Sequence, residues 1–249
     1  MKRRVLLACV AVLVLAGSAG TSRPSAGPIH GKLRVGAGTV YSRNWSGYAA
    51  SGTTFTDVKG SWTQPTADCS SVKHRKVTIA AFWSGLDGYN SRTVEQTGTE
   101  ADCVGATPLY FAWYEFYPAG LVVLDSSAYP VSPGDTLSAE VSQDGTTVTA
   151  SLTDSTQGWT HSASTSAARL DFSSAEWITE APSHSLTNFG SVSFSSANAS
   201  DASNTSKAIS FWSNDEITLV NHPGNATVRA DPGNLTSGGT AFTIDWLHS

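Results

Sequence analysis

From Asn44 to the end of the chain the sequence breaks into short runs of alternating apolar and polar residues, and no window sustains a helical period with caps. The runs are Trp45–Ala50, Phe55–Trp62, Val77–Trp83, Thr93–Thr99, Tyr110–Tyr117, Thr136–Val141 and Thr146–Leu152. They continue as Trp159–Ser164, Ser174–Glu180, Val192–Phe194, Ala208–Phe211, Ile217–Val220, Thr227–Arg229 and Ala241–Trp246. Gly, Asp, Asn, Ser and Pro punctuate them, as in Gln143-Asp144-Gly145 at hairpin distance. So many short strands without helices predict an all-β fold, a large antiparallel sandwich or jelly roll. No repeat at propeller or solenoid spacing interrupts the pattern, and Ser195–Ser206 reads as an exposed loop.

One of these strands points towards a function. Phe111-Ala112-Trp113-Tyr114-Glu115-Phe116-Tyr117-Pro118 is dense in aromatic rings, which pack well on a pleated surface. Alternation sends Phe111, Trp113, Glu115 and Tyr117 to one face and Ala112, Tyr114 and Phe116 to the other. The first face presents large rings around one carboxylate, the lining expected of a groove for an extended polymer.

The N-terminus and the cysteines predict export. Lys2, Arg3 and Arg4 form a basic region and Val5 to Leu15 an apolar one too short to span a bilayer. Gly17-Ser18-Ala19 suits a signal-peptidase site, so residues 1–19 read as a signal peptide. Residues 20–43, rich in Gly, Pro, Ser and basic side chains, read as a propeptide or flexible arm. Residues 44–249 then read as a single β-sandwich domain. Beyond Cys9, which lies inside the apolar run, only Cys69 and Cys103 remain, an even count that predicts a disulfide in an oxidising compartment.

Charge narrows the partners. Without Lys2, Arg3 and Arg4, the 15 basic residues fall to 12 against 20 acidic ones, a formal charge of −8. An acidic surface argues against nucleic acid and anionic membranes, and a soluble, secreted monomer is expected. Only 14% of residues are charged, so few ion pairs are lost when carboxylates protonate. Two cysteines make a poor metal site and no His pair stands at ligand spacing, so no metal or other cofactor is expected.

Familiar catalytic signatures are missing: no Gly-x-Ser-x-Gly elbow, no His-Glu-x-x-His and no phosphate-cradling loop. His74, His161, His184 and His222 fall in turn-like or polar contexts that suit a solvated surface. Polar residues inside strand-like text stand out instead. Trp83-Ser84-Gly85-Leu86-Asp87-Gly88 ends a strand, Glu95-Gln96-Thr97-Gly98 places Gln96 in one, and Ala175-Glu176-Trp177-Ile178-Thr179-Glu180 ends on a carboxylate. Gly98 leaves room for close backbone approach. On these residues alone three readings compete. One is a peptidase. Another is a jelly-roll glycoside hydrolase using Glu115 and Glu180 as its carboxyl pair. The third is a carbohydrate-binding module stacking sugars on Trp83, Trp113 and Tyr117.

Together, and in this order, the WSGLDG, EQTG, AWYEFYP and AEWITE segments resemble the glutamic peptidases (eqolisins), with Asn44-Trp45-Ser46-Gly47 and Phe189–Phe194 fitting the same pattern. The resemblance implies two curved antiparallel sheets with the active site on the concave face, and a Gln/Glu dyad that hydrolyses peptide bonds in acid. Carried over by motif, the dyad is Gln96 and Glu180, and the substrate groove is lined by Trp83, Asp87, Trp113 and Glu115, with Trp45 near the same face. The family pattern has an Asp after the QTG segment, where this chain has Thr99-Glu100. Gln96 discriminates between the readings, because a glycosidase has no obligatory role for it.

Overall fold

The structure, a computed structural model, describes residues 26–182, 185–224 and 226–249. The expected signal peptide 1–19, residues 20–25 and His184 lie outside them. Eighteen strands are found among the described residues. In chain order they are β1 (Leu33–Gly36), β2 (Thr39–Ser42), β3 (Trp45–Ser51), β4 (Phe55–Thr63), β5 (Val77–Thr78) and β6 (Ala81–Leu86). There follow β7 (Val94–Val104), β8 (Thr107–Tyr117), β9 (Leu121–Val123), β10 (Thr136–Asp144), β11 (Thr147–Asp154) and β12 (Trp159–Ser166). The last six are β13 (Ser174–Glu180), β14 (Ser191–Asp201), β15 (Lys207–Ala208), β16 (Ser213–Val220), β17 (Val228–Pro232) and β18 (Phe242–Trp246).

Two curved sheets form the sandwich. One runs β9-β8-β7-β6-β13-β3-β16, the other β18-β14-β4-β10-β11-β12, and β17 bridges β16 to β18. Pairing is antiparallel except for β2, which runs parallel to β16. Between the sheets lies the main core, with Phe82, Leu86 and Trp177 packed against Val58, Trp62, Leu137, Val141 and Leu152. Two indoles also tie the layers by hydrogen bonds: Trp62 Nε1 donates to Thr99 Oγ1 at 3.1 Å and Trp177 Nε1 to the Lys59 carbonyl at 2.6 Å. A second apolar cluster, including Trp45, Trp83, Phe111, Trp113 and Ile178, covers the other, concave face of the first sheet.

Most of the expected strands form, and the departures have local causes. Val77–Trp83 is interrupted because Ile79 turns its backbone to residues 185–187, accepting from Thr187 N and donating to the Ser185 carbonyl. The stretch from Ser195 is strand as far as Asp201, not loop: with a bulge at Ser195/Asn198 it pairs with β4, and Ala197 and Ala199 are buried. Residues 33–42 form a β1–β2 hairpin despite their weak periodicity, because β2 is held by β16 and β1 by β2. Residues 209–211 form a 3-10 turn where a longer strand was expected. The Cys69–Cys103 disulfide is formed, joining the loop after β4 to β7.

Candidate active site

The register of five strands explains why the site residues meet. Across β3, β13, β6, β7 and β8, one row of facing residues reads Trp45, Glu180, Ala81, Glu100 and Phe111. The next reads Gly47, Ile178, Trp83, Gly98 and Trp113, and the third Ala49, Glu176, Gly85, Gln96 and Glu115. Each row mixes bulky or polar side chains with Gly or Ala, so the face is hollow where the small residues lie. Gly98 carries this furthest: a Cβ there would lie 2.1 Å from the Phe82 carbonyl oxygen and 2.7 Å from Trp83 Cβ, so β7 closes directly on the backbone of β6. The Trp83 indole lies against Gly85, whose Cβ would be 3.1 Å from the ring, and its Nε1 reaches Glu180 on β13.

Glu180, in the last position of β13, is 1% exposed. Trp83 Nε1 donates to its Oε2 and Asn44 Nδ2 to its Oε1, each at 3.1 Å. Burial raises its pKa well above the carboxylate range and the Glu115 charge adds to this, while the hydrogen bonds from Asn44, Trp83 and Trp45 pull the other way. Glu115 and Glu180 are thus close enough for each to feel the other's charge. Asn44 is held in turn, its Oδ1 accepting from His30 N at 2.7 Å and Ser42 Oγ at 3.1 Å.

Gln96 is fully buried. Its Nε2 donates to Glu115 Oε2 at 3.0 Å and also to the backbone carbonyl of Ala26. Glu115 therefore orients the carboxamide while a peptide carbonyl from elsewhere in the chain accepts its second hydrogen. The Trp113 indole N–H is buried without a partner among the described residues. A cavity of about 540 Å³ lies beside Asn44 and Ala181, lined also by His30, Arg43, Pro182 and Arg229; neither Gln96 nor Glu180 lines it.

Of the expected site residues, Gln96, Glu180, Trp45, Trp83, Trp113 and Glu115 share this face. Asp87 has a different occupation. It sits just past β6 with φ at +70°, and its carboxylate accepts from the amides of Asp171, Phe172 and Ser173 and from Ser173 Oγ. It pins the loop leading into β13 and so sets where that strand begins. Asn44 was visible only as part of a pattern; its contact with Glu180 joins residues 136 positions apart, which no local signal reveals. His74 and His222 are exposed, whereas His161 lies in β12 with its ring stacked on Tyr114 at 5.5 Å. Among the described residues no group of three His, Cys, Asp or Glu side chains is placed to hold a metal, and no helix is long and apolar enough to cross a membrane.

Residues 43–231 match the Peptidase A4 family. Over 200 residues, 70% of each chain, the sequence is 30% identical to Aspergillopepsin-2 of Aspergillus niger. Scytalido-glutamic peptidase, solved with a transition state analog inhibitor, superposes with a TM-score of 0.66 over 82% of this chain and 98% of its own, at 22% identity. Aspergilloglutamic peptidase from Aspergillus niger superposes with a TM-score of 0.56 over 68% of this chain and 99% of its own, also at 22% identity. These structural likenesses bear on the fold, the sandwich of two curved sheets described above.

Proposed function

The chain belongs to the peptidase A4 family of glutamic peptidases, hydrolases acting on peptide bonds, and on that premise we propose that it is an acid-acting endopeptidase with Gln96 and Glu180 as its dyad. One observation carries the assignment: the Gln96 carboxamide, oriented by Glu115, already donates to a backbone carbonyl in the groove. An oxyanion donor must offer the same contact to the scissile carbonyl.

The chemistry divides between the two side chains. Ionised Glu180 takes a proton from a water whose oxygen attacks the scissile carbonyl carbon. Negative charge moves to the carbonyl oxygen, where the Gln96 N–H stabilises it. Glu180 then returns the proton to the amide nitrogen as the C–N bond breaks and the oxyanion collapses to a carboxyl group. A His base, with a pKa near 6.5, is protonated in acid and an amide never titrates, while the hydrogen bonds from Asn44 and Trp83 favour the ionised form of Glu180 against its burial and the Glu115 charge. The three indoles and Glu115 shape the groove; Glu115 acts by holding Gln96. Asp87 contributes by fixing the loop before β13. Membership of a peptidase family removes the ground for the two carbohydrate readings.

Residues 1–19 are proposed as a signal peptide and 20–43 as a propeptide or arm, and N-terminal readout of the exported protein distinguishes a start after Ala19 from one nearer Asn44. The dyad is tested on that processed protein with casein at about pH 3 to 5. Glu180→Gln should abolish hydrolysis and Gln96→Ala should lower kcat by about 10²–10³. Full activity in either variant would sink the assignment.

A further inference from the structure

Arg229, on β17, is a cation only 5% exposed. The strand register explains how it comes to lie there. Leu219 faces Ala230 and Val220 faces Val228 across β16 and β17, so Arg229 is the extra residue of a bulge. A bulge re-aims the side chain of its unpaired residue. The backbone is fixed at the same point, the Arg229 carbonyl accepting from Leu247 N at 2.8 Å and His248 N at 3.1 Å. The side chain borders the cavity beside Asn44 and Ala181. Its Nη2 is buried with no hydrogen-bond partner, and among the described residues no carboxylate forms an ion pair with it. Ser249, also on the cavity wall, pairs with neither Arg229 nor Arg43. A guanidinium does not shed its proton to escape burial, so an anion must offset its lost hydration. The fold supplies none here; a ligand can.

The rest of the lining fits an anion. Arg43 brings a second guanidinium, His30 an imidazole and Asn221 a carboxamide, and no Asp or Glu is among the lining residues. Gly31 makes room for Arg43, since a Cβ there would lie 2.7 Å from both Arg43 Cγ and Cδ. The planar fork of an arginine matches the two oxygens of a carboxylate. At about 540 Å³ the space exceeds what a bare carboxylate fills and admits the amino-acid residue that carries it. Asn44, on the cavity wall, also donates to Glu180 Oε1 at 3.1 Å, and Ala181 directly follows Glu180, so a bound anion would sit beside the proposed dyad.

We propose that this cavity is a carboxylate-binding site, in which Arg229 and Arg43 hold an acidic side chain or a free C-terminal carboxylate of a bound peptide. That the carboxylate arrives on a peptide rests on the peptidase reading; that the cavity binds one does not. Facing two guanidinium groups, a carboxylate keeps its charge below its ordinary pKa, so the site remains usable in acid. Its consequence is selectivity: a carboxylate seated there fixes which bond of the peptide reaches the dyad.

The test titrates the full chain, its arginines labelled with a nitrogen isotope, with blocked amino acids at about pH 5 while the arginine Nε–H resonances are followed. N-acetylglutamate α-amide carries a side-chain carboxylate alone, N-acetylalanine a terminal carboxylate alone, and N-acetylglutamine α-amide neither. The Arg229 and Arg43 resonances are identified by their loss in Arg229→Gln and Arg43→Gln. At least one acid should shift the Arg229 resonance saturably while the neutral amide leaves it in place, and the tighter acid names the source of the carboxylate. Each variant, read through the remaining arginine, should weaken binding about tenfold or more. Because Arg229 has no anionic partner in the fold, Arg229→Gln should melt no lower than the wild type. Equal shifts with the neutral amide, no saturation below about 100 mM, or undiminished binding in Arg229→Gln would overturn the proposal. So would a marked fall in its melting temperature, which would show Arg229 to be paired within the fold. Arg43→Gln, at an exposed position, tests the same binding independently of that outcome. Binding is read without turnover, so a chain whose dyad proves inert still reports on the site.

Discussion

Asn44 holds the carboxylate proposed as the general base, Glu180, by a side-chain hydrogen bond. Its Nδ2 donates to Glu180 Oε1, and that bond favours the charged form of a group that burial drives towards neutrality. Replacing Asn44 with Ala should raise the Glu180 pKa further. The acid limb of the kcat/KM profile of the processed enzyme should then move to higher pH, with the amide of Gln96 unaffected. A profile unchanged in position would show that Asn44 does not tune Glu180. At this scale the sequence names the dyad by motif but not its support, because Asn44 and Asp87 act on residues 136 and about 85 positions away.

Strands were the most legible level. Ser174–Glu180 is found with the bounds its alternation predicts, because every side chain on it is buried and the two faces demand different residues. The β1–β2 hairpin and the continuation of β14 were hidden because pairing partners, not their own pattern, make them strands. Small residues carry information of the same kind. Gly98 marks the place where β7 closes on the backbone of β6, and in Gly98→Ala the added Cβ would meet the Phe82 carbonyl and Trp83, which should shift Trp83 relative to Glu180. Overpacking of this sort destabilises by about 1–3 kcal/mol. The loss of kcat/KM should exceed what the unfolded fraction explains, checked by denaturant unfolding beside kinetics. Wild-type stability and turnover in this variant would contradict the close approach.

At the scale of the whole molecule, burial of carboxyl groups favours the fold at low pH. Glu95 is buried between the sheets and its pKa is pushed up to about 9, by burial first and then by Asp87 and Asp171. Glu176 is raised well above the carboxylate range, chiefly by burial. Each keeps in the fold a proton that the unfolded chain releases near pH 4.3, so its contribution is complete below that pH and is lost as pH rises towards the folded value. Within that window each group lowers stability by about 1.4 kcal/mol per pH unit at most. Asp215 works oppositely: paired with Arg34 and Tyr89, its pKa is lowered, and its contribution fades only as pH falls through that lowered value. The denaturant midpoint should therefore fall between about pH 4 and pH 8, and Glu95→Gln should flatten the decline. A midpoint that rises over this range would refute the account. Finally, β6 is hydrogen-bonded on both sides, and Gln96 and Glu180 find each other only through it. A slip of one residue would turn Phe82 and Ser84 into the groove and take Trp83 out of it. A sheet out of register would therefore lack this groove, and a refolding experiment could use peptide cleavage as its yield meter.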